Sequence, residues 1–228
     1  MLKKYWLVFA VAILLVTAFI FGLIYFSSKP AAIAGMETPN VVYQHKSIPV
    51  VLEKEIKAAL SYYPDLAETP IDFVFDPHTH KSIMLSQPVI ASFFGGRQHR
   101  AYVVKINPQF ATAHNAMPIQ KVPKDILIGW FGHELGHIKD YTTRSNTGMA
   151  WFGLKYACSD KFLMQAEQNA DSYAVNHGLG DYIIKTKNFI LNNSDIPQEY
   201  KARIRRLYPS PQQILDMVKK LKQPSKEH

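Results

Sequence analysis

Three glycines inside one helical segment constrain this chain more than any other feature. Residues 123–142 read Pro-Lys-Asp-Ile-Leu-Ile-Gly-Trp-Phe-Gly-His-Glu-Leu-Gly-His-Ile-Lys-Asp-Tyr-Thr. Pro123 and Asp125 suit a helix N-terminus, where a missing N–H is tolerated and a negative charge meets the positive end of the dipole. Leu127, Phe131, Leu135 and Ile138 repeat as one apolar stripe of the kind that faces a core. Gly129, Gly132 and Gly136 occupy the same stretch, and each costs a helix about 1 kcal/mol relative to alanine. A segment that keeps all three needs a packing reason, namely a narrow stripe along which a second helix approaches closely.

A partner with the matching property lies downstream. Leu163, Ala166, Ala170, Tyr173 and Ala174 recur at helical spacing and give residues 162–175 a small-residue face. Between them sit Glu167 and Asp171, four residues apart and so on one face.

The first helix carries His133-Glu134-Leu135-Gly136-His137. Two histidines four apart differ by about 40° around a helix axis and about 6 Å along it, so both imidazoles can reach one metal ion. Glu134 is turned about 100° from His133. It does not share the ion easily but can reach a water bound there, the arrangement in which a glutamate serves as general base. By composition alone the pattern is expected only about 0.01 times per chain. A solvated helix with incidental histidines is the bland alternative. Glu167 supplies a third ligand, and Asp171 is placed to accept the other ring N–H of a ligand histidine and so fix its tautomer. Ile126 and Trp130 lie above the histidines and either line a pocket or simply pack in the core.

The rest of the chain divides clearly. Residues 1–4 form a short terminus with Lys3 and Lys4, and residues 5–26 are an uncharged run of 22 residues. At 1.5 Å per residue the run spans about 33 Å, enough for a bilayer core of about 30 Å. The expectation is a single transmembrane anchor, with the N-terminus cytoplasmic and the remainder extracytoplasmic by the positive-inside tendency. Cleavage as a signal peptide near Ala32 and Ala34, giving a secreted domain, is the alternative. Residues 27–49 read as a proline-rich linker, and 50–228 as one domain. Its fold is expected to be α+β. A short helix covers 50–61. Strands fall at 71–75, within 82–94 and at 101–106, the last two as a hairpin. Helices run from Pro123 onward, with breaks near residues 146–148, 178–180, 192–197 and 209–211.

Cys158 is the only cysteine, so no intrachain disulfide and no cysteine-based zinc site can form. The net charge is +8. With no recognised module and no aromatic interleaving among the basic residues, nucleic-acid binding is not expected. His78, His80, His99 and His114 read as loop or turn residues.

Taken together, His133-Glu-x-x-His137 and Glu167-x-x-Ala-Asp171 resemble the gluzincin metallopeptidases, and within them the M48 group of membrane-associated zinc endopeptidases. The likeness is specific over residues 123–175. It implies a zincin-like domain of a small antiparallel or mixed sheet plus helices. It implies one Zn2+ held by His133, His137 and Glu167, with Glu134 as catalytic base, Asp171 behind a ligand histidine, and a polypeptide substrate. Tyr200, Arg203 and His177 are the candidates for an oxyanion or substrate contact. The strand at 101–106 is a candidate edge for an extended peptide. The metzincin pattern fails at Asp140 and Thr143. Many members of the group are polytopic and carry His-Pro ahead of an Arg-Ile helix, where this chain has Ile196-Pro197 before Arg203-Ile204. A small-peptide hydrolase and a catalytically silent zinc-binding membrane adaptor are the rival readings.

Overall fold

A computed structural model describes residues 40–79, 82–111 and 116–223. It contains seven strands and seven α-helices among those residues. The described residues open with a hairpin, β1 (Asn40–Tyr43) and β2 (Lys46–Pro49), within the stretch expected to be a linker. Gln44 and His45 both have positive φ, 44° and 61°. That is the geometry of a two-residue turn whose twist suits paired strands. Neither residue is glycine or asparagine, which is why the turn carries no sequence signal. Residues 40–49 are therefore part of the sheet.

Helix α1 (Glu53–Leu60) buries Ile56, Ala59 and Leu60. Strand β3 (Ile71–Phe75) follows, then β4 (Met84–Pro88) and β5 (Tyr102–Ile106). The sheet order is β1-β2-β3-β5-β4. Strands β2, β3 and β5 run parallel, and β1 and β4 are the antiparallel outer strands. The expected pairing of β4 with β5 is present, with Met84 opposite Ile106 and Ser86 opposite Val104. The expected edge is not. Strand β5 is enclosed between β3 and β4, because its β-branched residues are placed to pair on both sides, and β4 forms the edge instead. A small ribbon, β6 (Gln109–Ala111) with β7 (Ala116–Pro118), was not foreseen.

Six helices follow: α2 (Lys124–Thr142), α3 (Asn146–Cys158), α4 (Asp160–Asn176), α5 (Gly180–Asn192), α6 (Gln198–Leu207) and α7 (Pro211–Lys222). The later breaks match the glycine, asparagine and proline signals, the first falls at residues 143–145 while the expected 146–148 lie inside α3, and one break is added. Ser159 alone separates α3 from α4, and its side chain accepts from the Phe162 N–H as an N-cap. Alternation places Ile71, Phe73, Tyr102, Val104 and Ile106 on the buried side of the sheet. Phe131, Leu135 and Ile138 of α2 are fully buried, and the Phe131 ring meets Phe73 edge-on at 5.9 Å. Helix α2 is thus enclosed on all sides, by the sheet, by α1 and by α4 and α5.

Among the described residues no helix is long and apolar enough to cross a membrane. The α+β class stands, but without the expected spanning helix, and the single-pass membrane placement is corrected accordingly. The run 5–26 on which that expectation rested, with residues 1–4 and 27–39, lies outside the described residues.

Candidate metal centre

The glycine stripe explains how the centre is assembled. A Cβ on Gly136 would lie 2.3 Å from the Ala170 carbonyl oxygen of α4. One on Gly129 would lie 2.1 Å from Thr186 Oγ1 and 2.6 Å from the Tyr182 carbonyl oxygen of α5. One on Gly132 would strike Leu179 at 2.7 Å. Only glycine permits these approaches. Contact at Ala170 brings in Glu167 and Asp171, which lie three residues before it and one after it.

His133, His137 and Glu167 then converge, with one ligand atom from each lying within 4.8 Å of the others. Glu167 Oε2 is 3.0 Å from His133 Nε2 and 3.2 Å from His137 Nε2. Donors sharing one tetrahedral ion at about 2.0–2.1 Å lie roughly 3.3 Å apart, so the spacing fits. The tautomer fits as well. His133 Nδ1 lies 2.8 Å from Asp171 Oδ1. In the neutral ring, with its one proton directed at that carboxylate, Nε2 would offer its lone pair to an ion shared with Glu167. This group could hold a metal ion.

Charge points the same way. Glu134, Glu167 and Asp171 are each at most 6% exposed, and Lys187 is the buried cation paired with them, its Nζ 2.8 Å from Asp171 Oδ2. With both histidines neutral, as metal ligation requires, three carboxylates against one ammonium leave a formal charge of minus two, which a divalent cation neutralises. Burying that charge uncompensated would be costly. Burial pushes the Glu167 carboxyl up, but His137 and His133 outweigh it and hold it well below its ordinary value. Burial likewise raises Asp171, and Lys187 with His133 brings it down. Burial lowers His133, but Asp171 and Glu167 prevail and push it up to about 10 when no metal is bound.

Glu134 stands apart from the donor set. Its Oε2 accepts the Ser86 backbone N–H at 2.8 Å. In an antiparallel pair alternate residues point their backbone groups away from the partner strand. Val89 N–H donates to Ala101 and Asn107 N–H to Ile83, so Ser86 is among the residues that turn outward from β4. The edge strand thereby fixes the Glu134 carboxylate. Tyr141 hydroxyl reaches the Ser86 carbonyl at 3.4 Å, and its ring stacks on His137 at 5.9 Å. His137 Nδ1 is buried with no hydrogen-bond partner among the described residues, so this ring is held by stacking and His133 by its carboxylate.

Beside the centre is a cavity of about 50 Å³. Its lining includes Trp130, Ile183, Lys187, Tyr200 and Tyr208 as well as His133 and Glu134. Trp130 both lines the cavity and packs on Phe110 and Phe189, while Ile126 is core. Of the three oxyanion candidates, Tyr200 is in place, and burial pushes its hydroxyl up so that it stays protonated. Arg203 points Nη1 at Ser82 Oγ, 3.5 Å away, at the cavity wall. His177 is elsewhere. It stacks on Tyr63 at 4.2 Å and bonds the Tyr173 carbonyl and Asp65. His78 and His99 are outside the centre, and His80 and His114 lie outside the described residues.

Four contributors were not read from the sequence: Ser86, Tyr156, Lys187 and Tyr208. Tyr156 of α3 donates its hydroxyl to Glu167 Oε1 at 2.8 Å. Burial and the Glu167 charge both push that hydroxyl up, so it remains a donor. The Lys187 ammonium lies 5.3 Å from the centre of the Tyr208 ring. Lys187 did leave a trace, since it interrupts the buried stripe Ile183, Thr186, Ile190 of α5. The other three sit at positions that geometry alone selects.

Comparison with known proteins yields no matching family model, no matching curated protein and no matching solved structure.

Proposed function

We propose that this chain is a zinc-dependent metallopeptidase that hydrolyses peptide bonds with Glu134 as general base. One observation carries the reading. Three buried donors converge with the spacing of a tetrahedral ion while a fourth buried carboxylate, Glu134, is held beside them and outside the donor set. A purely structural ion would be closed by a fourth ligand and would need no such group. The likeness of His133, Glu134, His137, Glu167 and Asp171 to the gluzincin motifs supports the same conclusion, and it names zinc among the divalent ions.

A zinc ion bound by His133, His137 and Glu167 would supply Lewis acidity at a substrate carbonyl and make a water acidic near neutral pH. The chain's own groups do the remainder. Ser86 holds Glu134 Oε2 and leaves Oε1 to take a proton from the attacking water and return it to the leaving amine. Asp171 keeps the His133 proton on Nδ1, and Tyr156 orients Glu167 through its second oxygen. Tyr200 and Tyr208 are protonated donors at the cavity wall, suited to a developing oxyanion.

The test is hydrolysis of a set of short fluorogenic peptides by purified protein, with zinc restored after chelation. Activity that returns with zinc, and a Glu134→Gln variant that keeps the metal but turns over at least about a hundredfold more slowly, is the expected result. Undiminished turnover by that variant, or no zinc-dependent hydrolysis at all, would overturn the reading.

A further inference from the structure

Helix α3 is apolar on both sides but buries only one. Its sequence, Asn-Thr-Gly-Met-Ala-Trp-Phe-Gly-Leu-Lys-Tyr-Ala-Cys, holds a single charged residue, Lys155. Met149 and Phe152 face inward, with Tyr156 one turn further on the same side. Phe152 packs edge-on against Tyr141 and Phe162 and stacks on Tyr156. The opposite stripe, Ala150, Trp151, Leu154, Ala157 and Cys158, is exposed, and Trp151 keeps 58% of its surface open and Leu154 42%. A helix that is apolar all round is ordinarily enclosed, and a contiguous exposed apolar face marks an interaction surface.

The charge of this face is one-sided. No acidic residue occurs between Asn146 and Ser159, and Lys161 follows on the exposed side. Asp160 is already paired with Arg206. The Lys155 ammonium lies 5.3 Å from the Trp151 ring centre and 5.6 Å from that of Phe162, joining the two aromatic groups into one basic-apolar patch. The patch lies one helix width from the metal centre, because Tyr156, on the opposite side of the same helix, bonds Glu167. A helix is about 10 Å across, so an extended chain leaving the centre crosses it in roughly three or four residues at about 3.3 Å each.

We infer that the exposed face of α3 is an exosite for substrate, binding apolar segments of unfolded polypeptides that also carry acidic residues. The inference rests on the peptidase reading for its purpose but not for its test. Trp151 and Leu154 receive the apolar side chains, and Lys155 and Lys161 receive the carboxylates. Recognition then selects unfolded over folded chains, since folded chains bury such segments.

The experiment measures binding and cleavage separately in the full chain. Reduced, carboxymethylated α-lactalbumin, an acidic unfolded chain, is titrated by fluorescence anisotropy against protein carrying Glu134→Gln, so that the probe is not consumed. Adding Trp151→Ser with Leu154→Ser, or Lys155→Glu alone, should weaken binding about tenfold or more, as expected for loss of an aromatic anchor or reversal of a rim charge. With Glu134 restored, the same changes should raise KM for that chain and leave kcat, and the hydrolysis of a short fluorogenic peptide, within about twofold of the unaltered protein. Binding unchanged in both variants would overturn the inference. So would an unchanged probe affinity together with lost self-association, or lost adsorption to phosphatidylglycerol–phosphatidylcholine vesicles, since the face would then serve a second copy or a lipid surface. Failure to cleave any peptide would count against the peptidase reading alone, because the binding arm does not depend on turnover.

Discussion

Lys187 Nζ lies 2.8 Å from Asp171 Oδ2, while the other oxygen of the same carboxylate is 2.8 Å from His133 Nδ1. Asp171 therefore joins a buried cation on α5 to a histidine of the candidate metal centre on α2. Lys187 is 5% exposed and Asp171 is not exposed at all, so neither charge has water to fall back on. Lys187→Met should cost about 3–5 kcal/mol of folding stability, because it strands a buried carboxylate. Combining it with Asp171→Asn should recover part of that loss, a coupling above about 1 kcal/mol in urea denaturation. A Lys187→Met protein within about 0.5 kcal/mol of the original would show that the pair does not stabilise the fold.

Tyr156 makes a narrower prediction. Its hydroxyl bonds the Glu167 oxygen that does not face the histidines. Tyr156→Phe removes that bond and little volume, so the fold should persist. Zinc affinity should fall roughly 10–100-fold, as is usual when the partner of a ligand is lost. Competition with a chromogenic chelator measures it, and an unaltered affinity would mean that α3 contributes nothing to the centre.

The glycines can be tested against one another. Alanine favours a helix over glycine by about 1 kcal/mol. Gly153→Ala in α3 meets no atom within 4 Å, and it should raise stability by about 0.5–1 kcal/mol. Gly136→Ala and Gly129→Ala place a methyl against backbone oxygens at 2.3 and 2.6 Å. They should destabilise by about 1–3 kcal/mol or more despite the better helix propensity. Thermal denaturation of the three variants gives the comparison, and three shifts of one sign would refute the close-approach account.

Those glycines also show why so much of the centre was legible. Helical spacing fixes His133, Glu134 and His137 relative to one another before any tertiary contact forms, and the small-residue stripes announce which helix Glu167 and Asp171 arrive on. Turn chemistry located most helix ends. What stayed hidden depends on tertiary geometry. The β1–β2 turn uses Gln44 and His45 at positive φ, against their ordinary preference. Which of β4 and β5 is the edge is decided by β3, which pairs with β5 from 31 residues earlier in the chain. Ser86 acts through its backbone, which no side-chain pattern reveals. His177 looked suitable by type, yet the turn of α4 past Ala174 carries it to Tyr63 and Asp65.

The last prediction concerns protons at His133. In the metal-free protein burial lowers this imidazole, but Asp171 and Glu167 outweigh burial and push it up to about 10, from an ordinary value of 6.5. A group raised on folding contributes stability that is complete below its unfolded value and is lost as pH rises through the folded one. The metal-free protein should therefore be most stable relative to the zinc-loaded form near pH ~6 and should weaken steadily toward pH ~10. Zinc requires the same nitrogen that holds the extra proton, so loading at about pH 8 should release a proton from His133. Isothermal titration in two buffers of different ionisation enthalpy counts it. Zinc binding with no buffer dependence at about pH 8 would show that His133 is already neutral in the metal-free protein, and the raised value would then be wrong.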